Sequence, residues 1–204
     1  MISYMVYAFL YLGFCYVFGS VPFGILVSKV ANYGDPRKMG SGNIGATNVL
    51  RLAGKKAALA VLLCDFFKGF VCVYLARVLF SNFPADVQND ICLSAGMASV
   101  IGHVFSVFIK FKGGKGVATV FGVTAAVNPV LFIAGVSIWV VVFFVSRYSS
   151  VSAIVSISAV SLISVVLNKS DVNNAVSLAI FILVIYTHRQ NIRRILSGCE
   201  DRMW

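Results

Sequence analysis

Three polar stretches between long apolar segments hold most of the side chains that could bind an anion. The first, residues 34–51, contains four glycines, two asparagines, a serine and a threonine, and it ends at Arg51. Glycines let backbone N–H groups turn toward one anion, and a guanidinium group matches the oxygens of a phosphate. The composition alone fits a flexible basic loop equally well, because Gly, Asn and Ser are common in loops.

The second stretch, residues 110–119, places glycines on both sides of Lys115. The glycines leave the approach to the lysine open, and the start of the helix that follows favours anions. The stretch is not a Walker A loop, because the G-x-x-x-x-G-K-[ST] spacing is absent. A topology-determining loop would explain Lys112 and Lys115, but it would not need three glycines.

The third stretch, residues 187–194, follows the last apolar segment. His188 and Asn191 are three residues apart and share one face if the helix continues. A histidine can serve as a general base or bind phosphate near neutral pH, whereas a basic membrane anchor is the alternative interpretation. Together, the three stretches predict a phosphate-bearing substrate.

The remaining sequence predicts an all-α, polytopic integral membrane protein. Of the 204 residues, 59% are hydrophobic and only 12% are charged, whereas soluble domains have about 25% charged residues. We predict seven spans. A spanning helix needs roughly 20 apolar residues, and the predicted span 116–127 is shorter than that, so five or six crossings are the alternative. We expect Pro22 to bend the first span. The predicted spans are residues 4–28, 57–80, 90–109, 116–127, 129–146, 149–167 and 174–188.

The distribution of basic residues predicts the orientation in the membrane. With the N-terminus outside, 14 of the 17 Lys and Arg residues fall on the inner side, while Lys68 and Arg77 lie in the second span and only Lys169 lies outside. This asymmetry predicts a cytoplasmic C-terminus and an odd number of crossings. It also explains the net charge of +10 without a nucleic-acid partner. The 14 residues are Lys29, Arg37, Lys38, Arg51, Lys55, Lys56, Lys110, Lys112, Lys115, Arg147, Arg189, Arg193, Arg194 and Arg202.

Asp65, Lys68 and His103 are ionisable residues inside predicted spans. Asp65 and Lys68 have i,i+3 spacing and are expected to pair, because unpaired charges are costly in a bilayer. His103 is expected to pack or hydrogen-bond within the bundle. The five cysteines form no C-x-x-C pair and there are only two histidines, so we expect neither a metal site nor a cofactor. The uncharged first 28 residues lack the features of a cleaved signal, so we expect this segment to remain in the mature chain.

The three stretches resemble the three motifs of the acyl-phosphate:glycerol-3-phosphate acyltransferases, the PlsY family. The matching residues are Gly-Ser-Gly-Asn-Ile-Gly-Ala-Thr-Asn at 40–48 with Arg51, Gly-Gly-Lys-Gly-Val-Ala-Thr at 113–119, and His-Arg-Gln-Asn-Ile-Arg-Arg at 188–194. The resemblance extends over essentially the whole chain in order and spacing. One departure is Ser106, where the family usually has proline after Gly-His-x-Phe.

The resemblance implies a single transmembrane acyltransferase domain over residues 1–204, in the bacterial inner membrane, with its active site facing the cytoplasm. The implied reaction moves a fatty acyl group from acyl phosphate to the 1-hydroxyl of glycerol 3-phosphate, giving lysophosphatidic acid and phosphate. The implied partners are these two substrates, the bilayer and the enzyme that produces acyl phosphate. The residues implied to be catalytic are Ser41, Arg51, Lys115 and His188. Those implied to bind phosphate also include Asn43, Thr47, Asn48, Gly113, Gly114, Gly116 and Asn191.

Two other functions compete with an acyltransferase. A transporter of an organic phosphate would place its substrate site near the membrane midplane, whereas the polar stretches lie at one face. A purely structural membrane subunit would not need three anion-binding stretches. The H-x-x-x-x-D pair of other glycerolipid acyltransferases is absent, because Phe108 and Arg193 occupy the positions five residues after the two histidines.

Overall fold

The protein is all-helical in the computed structural model, which describes residues 2–167 and 170–203, and side chains from residue 5 onward. No β-strand occurs in that part of the chain. The short 3-10 helices Pro36–Lys38 and Val107–Ile109 accompany the α-helices. The α-helices are α1 (Ile2–Ser20), α2 (Phe23–Val30), α3 (Ala46–Leu79), α4 (Ala85–Val104), α5 (Val117–Val127), α6 (Pro129–Ser146), α7 (Ser149–Leu167), α8 (Asp171–Thr187) and α9 (Arg189–Leu196).

Five segments are long and apolar enough to cross a membrane, and the bent pair α8–α9 makes a sixth candidate. The first comprises α1 and α2, which are separated at Val21 and Pro22 as the proline predicted. The predicted ends of α6 and α7 agree with the structure. The predicted span 116–127 corresponds to α5, whose 11 residues extend only about 16 Å, roughly half the hydrocarbon thickness. The predicted outer-loop residue Lys169 lies outside the described residues.

The first polar stretch is only partly a loop, contrary to the prediction. Helix α3 begins at Ala46, so Thr47, Asn48 and Arg51 lie in its first turns. Gly54 then interrupts the helical backbone with φ 76° and ψ −176°, a conformation that glycine adopts readily. The helix therefore divides into a short motif-bearing part and the long apolar part that was predicted as the second span.

Helix α3 lies at the centre of the bundle, packed against α4 and α5, while α1 lies along α4. Small buried residues such as Cys15, Cys72, Ala95 and Val120 form the core between these helices. Small side chains let neighbouring helices approach closely, which is how apolar helices gain packing energy in lipid. The outward faces carry exposed apolar side chains such as Val166, as expected for contact with lipid.

The helical path bends by 52° at His188, between α8 and α9. Ile192 N donates to His188 O at 2.9 Å, so helical hydrogen bonding resumes after the bend. His188 therefore joins the apolar helix α8 to the short helix α9, which carries three arginines. The bend turns α9 across the end of the bundle, where the start of α3 and the end of α4 also lie.

Candidate functional site

Lys115 and Asn191 join the second and third polar stretches directly. Lys115 Nζ donates to Asn191 Oδ1 at 2.6 Å, although the residues lie 76 positions apart. Lys115 precedes α5, while Asn191 is buried in α9. Thr187 strengthens the same junction, since its hydroxyl donates to Lys115 O at 3.3 Å.

Glu200 connects this pair to the C-terminal segment. Its Oε1 accepts from Asn191 Nδ2 at 2.6 Å and from Ser150 Oγ at 2.9 Å. Its Oε2 lies 2.6 Å from Arg194 Nε. Three donors from α7 and α9 therefore converge on one carboxylate, and the carboxylate holds the Asn191 amide so that its oxygen faces Lys115.

Arg51 approaches the same cluster from the first turns of α3. Its guanidinium donates to Asp201 O at 3.3 Å, and its Nη1 lies 3.6 Å from Asp201 Oδ2. The Asp201 side chain is 81% exposed, so this ion pair is open to solvent and exchanges easily. The guanidinium is thus available to an anion that competes with Asp201.

The loop before α3 is organised by Asn48, which is buried. Its Oδ1 accepts from Ser41 N at 2.9 Å, and its Nδ2 donates to Pro36 O, Met39 O and Asn43 O at 2.8–3.1 Å. The amide uses both ends on the loop backbone, so we expect Asn48 to shape the loop rather than to contact phosphate.

The predicted nest of backbone amides is therefore largely closed by internal bonds. The amides of Ser41, Gly42 and Gly45 donate to Asn48, Met39 and Asn43 respectively. Gly40 has φ 55°, and a Cβ there would collide with Asn48 Oδ1, so glycine is required for this fold of the loop.

Thr47 contacts a part of the chain far from its own stretch. Its hydroxyl lies 3.1 Å from Ser149 Oγ, at the start of α7. Ser150, the next residue, donates to Glu200. The start of α7 thus links the first stretch to the carboxylate beside Asn191.

His188 is buried at the bend, next to the Lys115–Asn191 pair. Its Nδ1 lies 2.9 Å from Val184 O, and a carbonyl oxygen can only accept. Nδ1 therefore carries the hydrogen, and in the neutral ring Nε2 is left as a proton acceptor. The charges of Lys115 and Glu200 act on this ring, which places it in the same electrostatic cluster.

The cluster has excess positive charge, which alters its ionisable groups. Burial, together with the charges of Arg194 and Arg51, lowers the pKa of Lys115 to about 8, and the charge of Glu200 opposes this lowering. Burial would raise the pKa of the Glu200 carboxyl, but hydrogen bonds from Asn191, Arg194 and Ser150 outweigh it and hold that pKa below its usual value. Lys115, Arg51 and Arg194 therefore lie in one cluster with the part-buried carboxylate of Glu200 and the exposed one of Asp201, so positive charge is in excess and suits the binding of a further anion.

The structure brings some predicted site residues together and leaves others apart. Lys115, Arg51, His188 and Asn191 meet at one end of the bundle. Among the described contacts, the Ser41 side chain makes none with this group, and its link is indirect through Asn48. Gly113 and Gly114 donate their amides to the end of α4. Thr47 and Asn43 contribute to the surrounding hydrogen bonds, and Gly116 precedes α5.

The sequence interpretation missed Glu200 and the serines at the start of α7. Glu200 is the only glutamate in the chain and follows shortly after the basic third stretch, which was an available signal. Ser149 and Ser150 carried no such signal, because serine occurs throughout α7.

The cleft lined by Tyr7, Tyr11, Phe80 and Pro84 lies elsewhere. Its volume is about 640 Å³, but its lining comes from the first half of α1, the end of α3 and the segment that leads from α3 to α4. Lys115 and Arg51 are near the opposite ends of the bundle helices. The polar cluster, rather than this cleft, is the candidate site.

A model of the family described as glycerol-3-phosphate acyltransferase matches residues 9–198. Glycerol-3-phosphate acyltransferases of Cupriavidus pinatubonensis and Coxiella burnetii are 44% and 40% identical over 188 residues, which is 92% of this chain and 92% and 94% of theirs. Crystal structures of PlsY, an integral membrane glycerol 3-phosphate acyltransferase, in its glycerol 3-phosphate and lysophosphatidic acid forms have TM-scores of 0.89 and 0.86. They share 38% and 37% identity and cover 97% of this chain and 96% and 95% of theirs.

Proposed function

Because the chain belongs to the glycerol-3-phosphate acyltransferase family, we propose that it transfers a fatty acyl group from acyl phosphate to the 1-hydroxyl of glycerol 3-phosphate. The products are 1-acyl-glycerol 3-phosphate, which is lysophosphatidic acid, and inorganic phosphate. The Lys115–Asn191 contact carries this proposal, because it joins two motifs into one cationic cluster at the end of the bundle. The glycerol 3-phosphate and lysophosphatidic acid forms of the PlsY structures support the same substrate and product.

Acyl phosphate is already activated, so the protein has only to bind, orient and stabilise charge. Lys115 and Arg51 provide positive charge for phosphate and for the oxyanion that develops on the attacked carbonyl. Asn191 holds Lys115 in place. Binding both substrates at one cluster brings the hydroxyl and the acyl carbon together, which lowers the entropic part of the barrier.

The transfer forms one ester bond and breaks one acyl–phosphate bond. The 1-hydroxyl oxygen attacks the acyl carbon, and the bond from that carbon to the phosphate oxygen breaks. The hydroxyl proton goes to an oxygen of the departing phosphate, which leaves as hydrogen phosphate. If His188 accepted the proton it would become positively charged, which is unfavourable beside the charge of Lys115. We therefore assign His188 the role of orienting the hydroxyl group through Nε2.

The proposed setting is a bacterial inner membrane, with the site facing the cytoplasm and the whole chain forming one transmembrane acyltransferase domain. Seven crossings require α5 to count as a crossing despite its length. The hydrogen bonds that connect the starts of α3 and α7 with α9 support an odd number of crossings, because they bring the motifs together at one end of the bundle. An enzyme that produces acyl phosphate is the expected supplier of the donor.

A donor assay tests the proposed function. Purified protein is given radiolabelled glycerol 3-phosphate with either acyl phosphate or acyl-CoA, and labelled lysophosphatidic acid is measured. We expect product with acyl phosphate and little with acyl-CoA, since the H-x-x-x-x-D pair is absent. Equal or faster turnover with acyl-CoA would overturn the assignment of the donor.

A further inference from the structure

Three buried ionisable residues lie inside the bundle and take no part in the proposed reaction. Asp65 and Lys68 belong to α3, His103 belongs to α4, and none is more than 5% exposed. Lys68 Nζ lies 2.9 Å from Asp65 Oδ1. His103 Nδ1 lies 3.4 Å from Lys68 Nζ and 3.5 Å from Asp65 Oδ1. The predicted ion pair and the predicted contact of His103 within the bundle are thereby both confirmed.

The other edge of the His103 ring faces the loop that carries Lys115. Gly114 N donates to His103 O at 3.1 Å, and Gly113 N donates to Val104 O at 2.9 Å. A Cβ on Gly114 would collide with His103 Nε2, and one on Gly113 would collide with His103 O. The loop therefore lies directly against the histidine, and the next residue is Lys115.

We propose that Asp65, Lys68 and His103 are positioning residues that set the place of Lys115 in the acyl-transfer site. The ion pair holds Nδ1 and fixes the tilt of the His103 ring. The ring edge and the end of α4 in turn fix Gly113 and Gly114. Lys115 then emerges at the point where its ammonium group meets Asn191.

The burial of these charges supports a functional rather than a purely architectural part. Charged groups inside a membrane bundle are costly, and a packed apolar pair of similar volume is often as stable as a buried ion pair. Only two sets of contacts separate the ion pair from the loop: those between the ion pair and the His103 ring, and those between His103 and the two glycines. A displacement of about 1 Å at a reacting group can cost roughly a hundredfold in rate.

A double-mutant cycle with Lys115 distinguishes positioning from simple stabilisation. His103→Asn keeps a nitrogen near the ion pair but removes the ring edge that faces Gly114. We expect it to lower kcat/KM by about tenfold or more in the wild type, and by less than about threefold in a Lys115→Met background. Equal fold losses in both backgrounds, or no loss in the wild type, would overturn the proposal.

Asn173→Ala is the matched control. Asn173 is also buried and polar, but it lies at the start of α8, at the end of that helix away from His188. Its side chain hydrogen-bonds to Ser164 of α7. We expect this variant to lower the melting temperature while changing kcat/KM by the same factor in both Lys115 backgrounds.

Gly114→Ala provides a second route if His103→Asn does not fold. The added methyl presses on the ring from the loop side and leaves Asp65 and Lys68 in place. It should show the same coupling to Lys115→Met, and a full loss in that background would count against the proposal. Where both variants fold, the smaller side chain of His103→Asn should partly rescue Gly114→Ala.

The kcat/KM measurements rest on the proposed function, so phosphate binding is measured separately. The probe is inorganic phosphate, and the readout is the rise that it causes in the melting temperature of detergent-solubilised protein. We expect a rise in the wild type and in Asn173→Ala, and its loss in both Lys115→Met and His103→Asn. A full rise in folded His103→Asn would sink the positioning role, whereas a wild type that binds phosphate without transferring acyl groups would sink only the reaction.

Discussion

Lys115 Nζ donates to Asn191 Oδ1 at 2.6 Å, and this contact brings a glycine-rich loop to a helix that follows a 52° bend. Asn191 offers its oxygen because its nitrogen is bonded to Glu200. Asn191 and Glu200 therefore together direct the ammonium group of Lys115.

Removing the Lys115 ammonium should damage transfer far more than removing its neighbour Lys112. Hydrogen bonds to charged groups are worth about 1.5–3 kcal/mol, so Lys115→Met should lower kcat/KM by about tenfold to two hundredfold. Lys112 is exposed in the same loop, so Lys112→Met should cost little. Steady-state kinetics on purified, folded variants would check this. Comparable damage from both changes would mean that the loop acts as diffuse positive charge.

Transfer activity should fall as the pH rises through about 8, where the Lys115 ammonium loses its proton. The charged form is the active one, and it is present below that pKa. Glu200 opposes the lowering of the Lys115 pKa, so Glu200→Gln should move the midpoint of the fall to lower pH. The measurement is kcat/KM against pH for both proteins.

Lys115→Arg is the control for this titration. Its guanidinium stays protonated throughout the range, so whatever activity remains should lose the fall near pH 8. If the fall persisted in Lys115→Arg, another group would be responsible for it.

His188→Gln should lower kcat only modestly, by about tenfold or less. In the proposed reaction an orienting hydrogen bond is lost, but the departing phosphate can still accept the proton. A general base would contribute about a hundredfold to ten-thousandfold, so a loss of that size would show that Nε2 takes the proton. The imidazole Nδ1 also bonds to Val184 O at 2.9 Å, so folding must be confirmed by thermal melting.

The proposed cytoplasmic placement of the motifs can be tested by labelling in intact cells. Lys38→Cys and Lys112→Cys are made singly in a variant from which the five native cysteines have been removed. An impermeant thiol reagent added outside should label neither position, whereas it should label both after the cells are opened. Labelling in intact cells would overturn the orientation.

The sequence predicted the class of the fold well because lipid solvation imposes strong composition rules. Long apolar runs cannot be buried in a soluble core, and Asn128-Pro129 and Arg147-Tyr148 interrupt them clearly. The ends of α6 and α7 followed from these interruptions. The start of α3 at Ala46 did not follow from the sequence. The glycines and asparagines around it are typical of loops, and the helix there depends on tertiary packing.

The sequence by itself determined that three stretches are basic and rich either in glycine or in amide side chains, and so predicted a phosphate-bearing substrate, since residue type sets charge and hydrogen-bonding capacity. Only the tertiary structure decided which side chains meet. It paired Lys115 with Asn191, gave Asn48 to the loop backbone, and added Glu200 to the cluster. These outcomes depend on the bend at His188 and on the packing of α3, α7 and α9, which join residues too far apart in sequence for local spacing to relate them.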